Sequence, residues 1–152
     1  MQIMGERTSK ASTSVLWMNL FKSTSVQTYL EDNEAELGLP TFAEYISSLC
    51  RERGEVPERI IKRAGIERAF GHQIFRGARN PSRDTVLQLA FGFEADIEQA
   101  QSLLRHAGHC GLYPRIKRDA TVCYCLANGY SLMETQHILT SLALPMIGGA
   151  AK

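Results

Sequence analysis

The sequence predicts an all-α protein. Wherever its apolar residues recur with a clear period, they recur every three or four positions, as on one face of a helix. No stretch alternates apolar and polar residues for the length of a strand, and no Asn-Gly turn joins two apolar runs. Helix-boundary residues punctuate the periodic segments. Thr41 with Glu44 and Ser131 with Glu134 are spaced as capping boxes, while Gly54, Gly65, Gly77 and the pair Asn128-Gly129 stand where helices should end.

Residues 1–14 are polar and small and are expected to form a flexible tail. Residues 15–38 hold two short helices, one carrying Val15, Leu16, Leu20 and Phe21 and the next Val26, Tyr29 and Leu30; both apolar stripes need a partner to lie on. The main domain spans 39–108. Its first helix covers 42–53 and turns Phe42, Ile46 and Leu49 to one side. Pro57 suits the first turn of a second helix that buries Ile60, Ile61 and Ala64 and ends at Gly65. Ile66, Phe70 and Ile74, spaced by four, give a third helix over 67–76 one buried stripe; Arg68, Ala69, His72, Gln73 and Arg76 fall on its other side.

The cluster "RGARNPSRD" is a turn in which Pro81 blocks continuation, and Ser82 or Asp84 starts a fourth helix on Val86, Leu87, Leu89 and Ala90. A fifth, over 95–107, buries Ile97, Ala100, Leu103 and Leu104. Residues 109–146 form a C-terminal helical extension. After Pro114, Ile116, Ala120, Cys123 and Ala127 recur at helical spacing, and Ser131 opens a last helix with Leu132, Leu139 and Leu142. Residues 147–152 are read as a tail.

A chain of 152 residues, 44% hydrophobic and 22% charged, has the composition of one globular domain with a small appendage. A net charge of +1 does not mark the whole molecule as a nucleic-acid binder, so any electrostatic argument rests on local distribution. That distribution is uneven. Residues 31–44 carry Glu31, Asp32, Glu34, Glu36 and Glu44 and no Lys or Arg, whereas 59–83 carry Arg59, Lys62, Arg63, Arg68, Arg76, Arg79 and Arg83 against Glu67 alone. An anionic partner belongs at the basic stretch.

The N-terminus lacks the apolar run of a signal peptide, and nowhere do the roughly 18 apolar residues of a membrane span run together. A cytoplasmic protein with four reduced cysteines is therefore expected. His106, His109, Cys110, Cys123 and Cys125 raise the question of zinc, but Cys123 and Cys125 stand two apart on a helix and point to different sides, so no metal site or other cofactor is expected. No His-Glu-x-x-His, phosphate-binding glycine loop or nucleophile elbow is present, and no catalytic residues are assigned.

A helix ending at Gly65, a tight turn, and a short helix with an outward polar face make the layout of a helix-turn-helix. The stretch "IIKRAGIERAFGHQIFRGARNP" resembles the helix-turn-helix of the phage-repressor and Cro-like (Xre-type) family in the spacing of Gly65, Ile66, Ile74, Gly77 and Pro81. The downstream blocks "GHQIFRGARNPSRDTVLQLAFGF", "EQAQSLLRHAG", "LYPRIKRDA" and "NGYSLMETQHIL" look like those of small bacterial regulators of this type with a helical C-terminal extension. The resemblance implies a five-helix repressor-like domain that binds double-stranded DNA as a homodimer and regulates transcription. It implies that Arg68, Ala69 and Gln73 lie over base edges, with His72 beside them. A Gln suits adenine and an Arg suits guanine, each good bidentate pair being worth ~1–3 kcal/mol of discrimination. Lys62, Arg63, Arg76, Arg79 and Arg83 are the expected phosphate contacts.

Three positions depart from the family's pattern. Ile61 stands where many members carry Ala, Gly71 where many carry Ile or Val, and Glu67 where a Ser or Thr cap is common. The first two are expected to compensate, the larger side chain filling the space the missing one leaves. A rival expectation is a helical adaptor or antitoxin-like module that uses the same scaffold to bind a protein partner, with "LYPRIKRDATVCYC" and the acidic 31–44 segment as docking surface.

Overall fold

A computed structural model of the chain describes residues 11–148. Among the described residues the protein is all-helical, with nine α-helices, one short 3-10 turn and no strand. The chain divides into two compact units, Met1–Leu39 and Pro40–Lys152.

In the first unit, α1 (Thr13–Lys22) is capped by Ser12, whose side chain accepts from the Val15 amide, and α2 (Val26–Asp32) is capped in the same way by Ser25. A 3-10 turn, Glu34–Glu36, follows. The tail expected over 1–14 lies mostly outside the described residues, and the part that is described already enters α1. None of the described residues of this unit is buried. Val15, Trp17, Met18, Phe21, Val26 and Leu30 are exposed, and the rings of Trp17 and Phe21 stack with centroids 5.6 Å apart.

The second unit begins with α3 (Phe42–Arg53). Its capping box is formed: the Thr41 amide donates to Glu44 Oε1 at 2.9 Å and the Glu44 amide to Thr41 Oγ1 at 3.1 Å. Gly54 ends the helix at φ +66°, a left-handed value that a side chain disfavours. α4 (Pro57–Arg63) starts on its proline. α5 (Arg68–Phe75) is one residue shorter at each end than the expected 67–76, because Glu67 and Arg76 are its caps. Ser82 caps α6 (Arg83–Gly92), and Asp96 caps α7 (Ile97–His106). These five helices occupy residues 39–108.

α8 (Lys117–Ala127) and α9 (Leu132–Ser141) complete the unit, and the second capping box joins the Ser131 amide to Glu134 Oε1 at 2.8 Å. They are not a separate appendage. α8 packs on α7, and α9 on both α8 and α6, so Val122, Cys125 and Leu139 share one core with Ile46, Ile60, Ile61, Ile74 and Leu103. Burial of each such Leu or Ile side chain contributes roughly 1.5–3 kcal/mol.

Three expectations about this end of the chain are corrected. The inward face of α8 is Asp119, Val122, Cys125 and Leu126, not the stripe of Ile116, Ala120, Cys123 and Ala127, and Ile116 is 51% exposed. Val122, Cys125 and Leu126 themselves recur at i, i+3 and i+4 and face the core, and Asp119, one turn earlier on the same face, is held there by Arg83. On α9, Leu139 is buried but Leu142, past the end of the helix, is 55% exposed. The tail expected over 147–152 is also corrected in its first residues: Ile147 is 1% exposed, and the Gly148 amide donates to Asp84 Oδ2 at 2.9 Å. Residues 149–152 lie outside the described residues.

Candidate nucleic-acid interface

α4 and α5 meet through a turn that only a left-handed residue can make this tight. Gly65 adopts φ +67°; its amide donates to the Lys62 carbonyl at 3.1 Å, and the Ile66 amide donates to that of Ile61 at 3.2 Å. The turn is braced from α6, where the Gln88 side-chain amide donates to the Ala64 carbonyl at 3.1 Å. Behind it, Ile60, Ile61, Ala64, Ile74 and Phe75 are buried, and Ile66 and Phe70 pack against them.

Gly71 sets how closely the two helices approach. A Cβ at this position would fall 2.6–2.9 Å from three carbons of the Ile61 side chain, closer than side chains pack. Ile61 and Gly71, expected to compensate for one another, thus meet in one contact.

Glu67 is the N-cap of α5. Its carboxylate accepts from the Phe70 amide at 2.9 Å and from the Ala69 amide at 3.2 Å, which occupies the donors that the helix start would otherwise present. On the outward face, Arg68 and Ala69 are exposed, while His72 and Gln73 are half-buried. Arg68 Nε donates to Glu58 Oε2 of α4 at 2.6 Å. This hydrogen bond and the facing charge hold the Glu58 carboxyl below, and the Arg68 guanidinium above, their ordinary pKa values. His72 Nε2 lies 4.0 Å from Glu58 Oε1 and finds no hydrogen-bond partner among the described residues.

The expected phosphate contacts divide into two groups. Lys62, Arg76 and Arg79 are exposed, and the Arg79 guanidinium lies 5.7 Å from the centroid of the Phe70 ring. Arg63 and Arg83 are engaged within the fold. Arg63 Nε donates to the Gly92 carbonyl and its Nη2 to Glu55 Oε1, both at 2.9 Å. Arg83 donates to both oxygens of Asp119, at 3.2 and 2.9 Å, and to the carbonyls of Cys110 and Gly111 at 3.1 and 2.9 Å. Four donors of one guanidinium are thereby used, so in this structure Arg83 pins α6 to α8, and Arg63 pins α4 to α6.

The sequence did not signal this second set of roles. Asp119 is 3% exposed and also accepts from the Tyr113 amide at 3.0 Å. Arg118 answers it with a bidentate pair to Asp84, at 3.0 and 2.9 Å. The partners are more than thirty residues apart in sequence, a separation that no local pattern reports. Among the described residues no three His, Cys, Asp or Glu side chains cluster as metal ligands would, and no helix is long and apolar enough to cross a membrane. No protein-family model, curated protein or solved structure matches the chain.

Proposed function

We propose that the protein is a sequence-specific DNA-binding transcriptional regulator that reads the major groove with α5. The observation that supports it is the turn at Gly65 joining α4 to a short α5 whose inner side is core and whose outer side presents Arg68, Ala69 and Gln73. A major groove about 12 Å wide admits such a helix, and long side chains with several donors are the ones that reach base edges. Lys62, Arg76 and Arg79, exposed around the same face, supply phosphate contacts that set register and carry no sequence information. One short helix spans few base pairs, so the protein acts as a homodimer on two half-sites about 34 Å apart.

A second reading, a protein-binding adaptor or antitoxin-like module, is favoured by the carboxylates at this face. Glu58 pairs with Arg68, and Glu67 occupies the start of α5. The two readings differ in their response to salt. A dimer that sets about six cations on phosphates loses roughly a thousandfold in duplex affinity between about 50 and 200 mM salt, whereas docking through apolar helix faces barely responds. Fluorescence anisotropy with a labelled duplex across that range is the test, and a flat response removes the DNA reading.

A further inference from the structure

The DNA reading leaves unused an open groove of about 820 Å³ beside the α4–α5 turn, bounded by the end of α4, Gly65 and α9. Its volume lies within the range of small-molecule sites. Leu132, Met133 and Met146 line it together with the cations Lys62 and Arg63 and with His137, and no Asp or Glu is among its lining residues. Its walls are already set. The Gln136 side chain exchanges two hydrogen bonds of 2.8 Å with the Ile147 backbone, and Arg118 donates to the Met146 carbonyl at 2.8 Å. On the opposite side, the Gln88 brace holds the backbone of Ala64 and Gly65.

An apolar wall alone accepts any hydrophobe. Arg63 is already paired with Glu55, but the exposed Lys62, with no ion pair among the described residues and no carboxylate among the groove's lining, selects against cations and for anions. We propose that this groove binds a small amphipathic anion, its carboxylate head meeting Lys62 and its apolar body lying along Leu132, Met133 and Met146. The site is coupled to the turn. Leu132 Cδ2 lies only 3.1 Å from where a Cβ on Gly65 would be, and Lys62 is also one of the cations assigned to phosphate. If the DNA reading of α5 holds, on which this coupling rests, occupancy lowers duplex affinity.

The test is calorimetric titration of the full chain, without DNA and below micelle-forming concentrations, with decanoate, 1-decanol and decyltrimethylammonium. Decanoate is expected to saturate a single site per chain and to bind at least about tenfold more tightly than the cation, a difference of ~1.4 kcal/mol. Lys62→Glu should weaken decanoate by about the same factor, and so should Met133→Asp. Both positions are exposed, and melting curves establish that the variants are folded. Equal binding of the three probes, or decanoate binding unchanged in Lys62→Glu, overturns the proposal. Self-association that Met133→Asp breaks also overturns it, because the groove then belongs to a second copy. A chain that binds decanoate but no duplex removes the proposed function and keeps the groove; one that binds duplex but not decanoate removes the groove alone.

Discussion

Ile61 fills the space that a side chain at position 71 would need: a Cβ on Gly71 would lie 2.6 Å from Ile61 Cγ2, and Ile61 is itself only 2% exposed. Gly71→Ala gains ~1 kcal/mol of helix propensity but overpacks the contact by ~1–3 kcal/mol. The expected result is net destabilisation. Ile61→Ala alone costs ~2–5 kcal/mol through the cavity it leaves. In the Ile61→Ala background, Gly71→Ala should instead stabilise. Urea denaturation of the four proteins in the cycle checks this, and additive effects would show that the two positions do not share the contact.

Asp119 holds Arg83, and through it ties α6 to α8. Asp119→Ala leaves the guanidinium largely enclosed without its counter-ion and strips the Tyr113 amide of its acceptor. A loss of about 3 kcal/mol in unfolding free energy is expected. Arg76→Ala, at an exposed position, should change stability by less than about 0.5 kcal/mol. Equal losses in the two variants would contradict the division of the arginines into structural and outward groups.

Asp84 makes stability pH-dependent. Burial disfavours its charge, but the hydrogen bonds from Arg118 and the Gly148 amide, with the charges of Arg118 and Arg83, outweigh that effect and hold its pKa below the ordinary 3.8. The unfolded chain then takes up the proton more readily. The stabilisation is complete above the unfolded value and is lost as pH falls through the folded one. The difference in melting temperature between the protein and Asp84→Asn should be widest near neutrality and should narrow progressively as pH falls from ~4 through the lower folded value. A difference that does not narrow with acidification would show that the carboxylate's charge is not what stabilises this contact.

On the proposed DNA reading, Glu58 competes with the duplex for Arg68. Replacing it with Gln removes a negative charge from the proposed interface and releases the guanidinium, so duplex affinity should rise by about half an order of magnitude at low salt and by less at about 200 mM, where exposed charges are screened. Anisotropy titrations at both salt concentrations measure this. Unchanged or weaker binding by Glu58→Gln would mean that Arg68 does not face the duplex.

The helix boundaries were legible because their causes are local. Thr41, Ser82, Gly54, Gly65 and Ser131 act on backbone groups within four residues of themselves, and each stands at a helix end in the structure. The buried side of α4 and α5 was legible for the same reason, since Ile60, Ile61 and Ile74 report it by spacing. The inward face of α8 was not, because the segment carries two overlapping apolar stripes, and only packing on α7 and α9 turns Val122, Cys125 and Leu126 inward. Arg63 and Arg83 were grouped with the outward cations because a run of like charges in sequence says nothing about acceptors some thirty residues away. The docking of Ile147 was hidden likewise, since its partner Gln136 reads as an ordinary polar residue on α9.

Selection of duplexes from a random-sequence pool tests the central claim most directly. The full chain should enrich an inverted repeat with half-sites about one helical turn apart, and Arg68→Ala combined with Gln73→Ala should fold normally yet enrich no common sequence. Enrichment of nothing by the unaltered chain, or of the same repeat by the double variant, would contradict the account.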